Sequence, residues 1–87
     1  MDEINRLIQE NNLDEAMVLV DAFIAAHPDS AEAFFTRGKI NWKLGNRSKA
    51  MTDYAEAKAR DPESPAAEAL RQAREIEAFF NPDLLNP

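Results

Sequence analysis

Eighty-seven residues, 45% apolar and 30% charged, make one small globular domain, which buries only about 60–65% of its unfolded surface and has a thin stability margin. The absence of cysteine excludes disulfides, thiolate metal sites and a cysteine nucleophile, and one histidine, His27, cannot build a zinc site. A net charge of −6 argues against nucleic acid or an anionic membrane as partner, because both require summed positive charge.

In chain order, Ile4, Leu7 and Ile8 fit a short opening helix closed by Asn11-Asn12. Asn12 can cap a second helix, with Glu15 three residues on completing a capping-box pattern. Its apolar residues Ala16, Leu19, Val20, Phe23 and Ile24 recur at three- and four-residue spacing. His27-Pro28 stops it, since the residue before proline is pushed out of the helical region.

Asp29 or Ser30 caps a third helix that runs to Leu44, and Gly45-Asn46 turns the chain. A fourth helix, over about 47–60, carries Ala50, Met51, Tyr54, Ala57 and Lys58 and ends at Asp61-Pro62. Ser64 followed by Pro65 starts a fifth, because proline at the first helical position gives up no hydrogen bond. That helix runs to about Phe80, and residues 81–87, with two prolines, cannot continue it. No strand pattern appears, so the fold class is all-α: paired antiparallel helices with short connections.

The elements also repeat. Pro28 and Pro62, Ala16 and Ala50, and Asn12 and Asn46 are each 34 positions apart. A fixed period of this length marks a stacked array whose units cannot bury their apolar faces alone. Phe34, Arg37-Gly38, Asn41, Ala50, Tyr54, Ala57 and Pro62 lie where the tetratricopeptide repeat pattern has its signature positions, and Lys43-Leu44-Gly45-Asn46 resembles that family's inter-helix turn. The resemblance implies a short right-handed superhelix of about five helices. Residues 1–30 form a partial repeat, 31–64 a full one and 65–80 a capping helix, within a single domain 1–80 followed by a non-helical tail, 81–87. Gly38 and Ala50 are small because the hairpin helices cross there, while Phe34 and Tyr54 fill the space between neighbours.

Two positions depart from the family pattern: Arg37 stands for the usual leucine and Asn41 for a large aromatic. With Asp53 beside Tyr54, Arg37 is expected to form a partly buried ion pair across the hairpin.

In this family ligands usually lie in the groove lined by the first helix of each unit. The resemblance therefore maps a concave site onto Glu32, Phe35, Thr36, Lys39, Trp42 and Lys43, with Asn5, Ile8 and Gln9 before it and Ala66, Ala69, Leu70, Ala73, Ile76 and Glu77 after it. Helical spacing independently puts 35, 39 and 42–43 on one stripe and 34, 38 and 41 on another. An aromatic pair flanked by two lysines suits a peptide with apolar side chains and a carboxylate. The alternative, in so short an array, is that the same aromatics are covered by neighbouring helices or by the tail.

Five bases and no acid fall within 37–49, while residues 1–30 hold seven acids against one base, Arg6. A distributed carboxylate clamp is not expected: Thr36 replaces the asparagine such clamps use, and Ala66 and Leu70 stand where they need bases. Leu84 and Leu85 in the tail could pack on their own domain, on a second copy, or stay mobile. Catalysis is not expected. Ser30, Ser48 and Ser64 are read as cap or turn residues with no catalytic general base set beside them in the pattern, and two glycines cannot form a phosphate loop.

The reading is a non-catalytic adaptor or scaffold that binds protein or peptide, with no cofactor and no metal. The alternative is a self-associating, homodimerising helical module. Met1 leads into Asp2-Glu3 and not into a basic and then apolar leader, which predicts a cytoplasmic protein.

Overall fold

The computed structural model describes residues 1–79; Phe80 and the expected tail lie outside them. Five helices follow in order: α1 (Asp2–Gln9), α2 (Leu13–Ala26), α3 (Ala31–Lys43), α4 (Arg47–Arg60) and α5 (Ala66–Phe79). Among the described residues there is no strand. Each helix packs on its chain neighbour, and the α3–α4 hairpin is the most extensive of these contacts.

The 34-residue period is written into the backbone as well as the sequence. Asn11 (φ 63°) and Gly45 (φ 83°) both take the left-handed conformation that closes a helix. The next residues, Asn12 and Asn46, turn with nearly equal angles (φ −87°, ψ 67° and φ −87°, ψ 71°). Their amides donate to Leu7 O at 2.8 Å and Asn41 O at 2.9 Å, so both hairpins are locked by the same bond. At the other end, Ser30 N donates to His27 O at 3.1 Å and Ser64 N to Asp61 O at 3.0 Å.

The caps differ from expectation in one place. Asn12 occupies the N-cap of α2, but its side chain makes no capping bond; its Nδ2 instead lies 3.5 Å from Glu10 Oε1. Ser30 is the cap of α3, with Oγ accepting from Ala33 N at 3.1 Å, and Ser64 Oγ accepts from Ala66 N at 3.1 Å. Ser30→Ala should therefore lower stability by about 1 kcal/mol, and Asn12→Ala by much less, as compared in urea melts.

Burial follows the helical stripes. Ile4, Leu7, Ala16, Val20 and Ile40 form one cluster; Phe34, Ala50, Tyr54, Ala57, Ala66, Leu70 and Ala73 form the other. α3 feeds both, so it is the spine of the array. Phe34 is flanked by two guanidinium groups, Arg60 at 4.0 Å and Arg37 at 5.3 Å from its ring centre. Arg60 also donates through Nε to Pro28 O at 2.7 Å, which ties the end of α4 to the α2–α3 connection.

Candidate peptide-binding face

Two residues along a helix turn the side chain by about 200°, so α3 presents two opposite working faces. One carries Phe35, Lys39 and Trp42; the other carries Arg37, Asn41 and Leu44.

On the first face Phe35 is half-buried, its ring 5.8 Å from that of Tyr54 and tilted at 44°. Lys39 Nζ sits 4.9 Å above the Phe35 ring, and the Arg47 guanidinium sits 5.6 Å from the Trp42 ring centre. Arg47 is also 3.9 Å from Glu77 on α5. Trp42 is half-buried and shares a shallow recess with Tyr54, Ala69, Gln72, Ala73 and Ile76. Ile76 remains 37% exposed there, so the recess keeps an apolar rim open to solvent.

The other expected residues fall out as follows. Lys43 and Gln9 are exposed and Asn5 is half-buried. Thr36 is only 2% exposed and Ala73 only 3%, so both pack beneath the face instead of standing on it. No described hydrogen bond joins Asn5 or Gln9 to the α3 stripe. Sequence reading missed Arg47, whose place over Trp42 depends on how the α3–α4 turn brings the start of α4 back alongside.

The second face is a polar network. Arg37 reaches Asp53 through Nε at 3.1 Å and Nη2 at 2.8 Å, and Asp21 through Nη1 at 3.0 Å. Asn41 Nδ2 donates to Asp53 Oδ2 at 2.8 Å. The expected Arg37–Asp53 pair is thus present, with a third residue, Asp21 of α2, joined to it. The hydrogen bonds that Arg37 donates to Asp53 are the main cause holding the Arg37 pKa above its ordinary value; burial opposes it and Asp21 assists. Among the described residues no buried side-chain polar atom lacks a partner.

Tyr54 records the same environment. Burial raises its hydroxyl above the ordinary 10.0, and the Asp53 carboxylate pushes in the same direction. The folded chain therefore holds this proton more tightly than the unfolded one. The associated stability is complete below pH 10 and is lost as pH rises through the folded value. Tyr54 is the chain's single tyrosine. Its absorbance titration should shift to lower pH in denaturant, and Tyr54→Phe should flatten the alkaline fall in Tm.

Among the described residues no cluster of three or more His, Asp or Glu is placed to hold a metal ion. Nor is any described helix long and apolar enough to cross a membrane.

A family model described as "Tetratricopeptide repeat" matches residues 5–75. Over 75 residues the chain is 32% identical to the "DnaJ homolog subfamily C member 7 homolog" of Schizosaccharomyces pombe (strain 972 / ATCC 24843), covering 85% of this chain and 16% of that protein. The chain thus spans 16% of the length of this curated relative. No solved structure matches.

Proposed function

The chain belongs to the tetratricopeptide repeat family, and from that premise we propose that it is a non-catalytic module that binds a protein or peptide along the Phe35–Lys39–Trp42–Lys43 face. The observation that carries this reading is the pair of half-buried aromatics, each with a cation over its ring, beside an open apolar recess. Aromatic rings held in place in this way offer contact area at little cost in conformational entropy. Lys39 and Lys43 supply the charge for a carboxylate on the ligand, while the recess at Trp42, Tyr54 and Ile76 takes an apolar side chain. Asn5 and Gln9 extend the face along α1, with Thr36 and Ala73 supporting it from below.

A pull-down tests it. The wild-type chain should capture a protein that a folded Lys39→Glu, Trp42→Ala, Lys43→Glu variant does not. Capture of the same proteins by both would remove the face from any role in binding.

A further inference from the structure

The face of α3 opposite the proposed peptide site floors a recess of about 560 Å³ between α2 and α4. We propose that this furrow is a second docking site, for an amphipathic helix of a protein partner that presents aliphatic side chains flanked by lysine or arginine.

The shape comes first. α2 and α4 both pack on α3, leaving a channel whose walls are Met17 and Asp21 on one side and Lys49 on the other. Its floor cannot collapse, because Arg37, Asn41 and Asp53 are fixed to one another and Asp53 is 4% exposed. The walls are helices whose backbones are already bonded internally, so an extended strand would find no main-chain partners in them. A helix brings its own backbone bonds and offers side-chain ridges to a groove.

The chemistry gives the rest. Leu44, 40% exposed, lines the channel together with Met17, and Val18, which does not line it but follows Met17 on α2, is 67% exposed. These are two of the four large apolar residues left open to solvent among the described residues, and they call for an aliphatic seam. Charge selects the flank. Arg37 is the single guanidinium serving two carboxylates, Asp21 and Asp53, so the triad carries one net negative charge; Lys49 on the opposite wall balances it over the furrow as a whole and leaves the α2 side the acidic one. Asp21 faces outward, its side chain 54% exposed. Asp14, Val18 and Asp21 follow at four- and three-residue spacing along one stripe of α2, so an acid lies on each side of the exposed valine. A cationic side chain on the partner would lie beside them, on the wall away from Lys49.

The test uses synthetic helical peptides that share one leucine seam and differ only on one flank: lysine, glutamine or glutamate. Binding to the whole chain is read by fluorescence anisotropy. The lysine peptide should bind tightest and the glutamate peptide weakest, with the difference shrinking as salt rises. Asp21→Asn, which can still accept from Arg37, combined with Asp14→Lys should weaken the lysine peptide by about tenfold. Trp42→Ala should leave it unchanged, which separates this furrow from the face proposed above. Circular dichroism confirms that each variant is folded, and Asp14→Lys alone serves if the double variant is not. Equal binding of all three peptides, preference for glutamate, or no binding in the millimolar range would each overturn the proposal. So would a chain mass that doubles with concentration and falls back in Asp14→Lys, which would assign the furrow to a second copy.

Discussion

Replacing Asp53 with alanine is expected to cost about 3–5 kcal/mol, because it leaves Arg37 with Asp21 as its one remaining carboxylate and takes the acceptor away from the buried Asn41 amide. The Asp53 side chain is only 5% exposed and receives bonds from Arg37 and Asn41. Arg37 is 27% exposed and can recover some solvation, which puts the loss toward the lower end. A domain of this length has roughly 4–13 kcal/mol in total, so a loss of about 3 kcal/mol removes between a quarter and three quarters of it. A contrasting variant tests the mechanism. Arg37→Leu together with Asp53→Leu removes both charges, and Asn41→Leu removes the buried donor that would otherwise lose its acceptor; the triple variant should recover much of the loss, since desolvating an ion pair offsets most of its attraction. Thermal melts followed by far-UV circular dichroism decide the matter. If Asp53→Ala melts with the wild type, the network contributes nothing to stability.

The second large effect should come from Gly38→Ala. A Cβ at this position would lie 2.5 Å from Tyr54 Cε1, 2.6 Å from Cδ1 and 3.3 Å from the Ala50 carbonyl oxygen. The gain of about 1 kcal/mol from placing alanine in a helix works against the clash. The clash wins, because the Tyr54 ring is 5% exposed and the Ala50 carbonyl belongs to the α4 backbone. A net loss of about 2 kcal/mol is expected, lowering Tm by roughly 8–16 °C. Gly38→Ala combined with Tyr54→Leu should be less damaging than the sum of the two single changes, since the removed ring is what the methyl meets. A Gly38→Ala chain as stable as wild type would mean that α3 and α4 can separate freely there.

Much of the fold is legible in the chain because its signals are local. Gly45, Pro62, Ser30 and the three- and four-residue apolar spacing act within a turn or two, and the observed helix limits follow them. The Arg37–Asp53 pair could also be anticipated, from a basic residue just before Gly38 with an acid next to Tyr54. The side-chain cap expected of Asn12 is not formed: the Asn11 and Asn12 amides close α1, and the N-cap residue takes ψ 67° with its side chain making no capping bond. The candidate face was read in part. Phe35, Lys39 and Trp42 share a stripe, yet the burial of Thr36 depends on how closely the preceding helices approach α3.

The sequence by itself therefore determined the all-α class, the helix order, the 34-residue period and the family, since each rests on spacing along the chain. Beyond the Arg37–Asp53 pair, tertiary structure alone decided which charges meet and which surfaces stay open. Arg60 reaches Pro28 across 32 residues, Asp21 joins Arg37 across 16, and Arg47 comes to lie over Trp42. The furrow between α2 and α4 likewise exists only once both have packed on α3. The physical reason is that periodicity fixes the direction of a side chain about its own helix, whereas its neighbours depend on how closely the helices pack and at what angle they cross, which is set by the fit of all their side chains together.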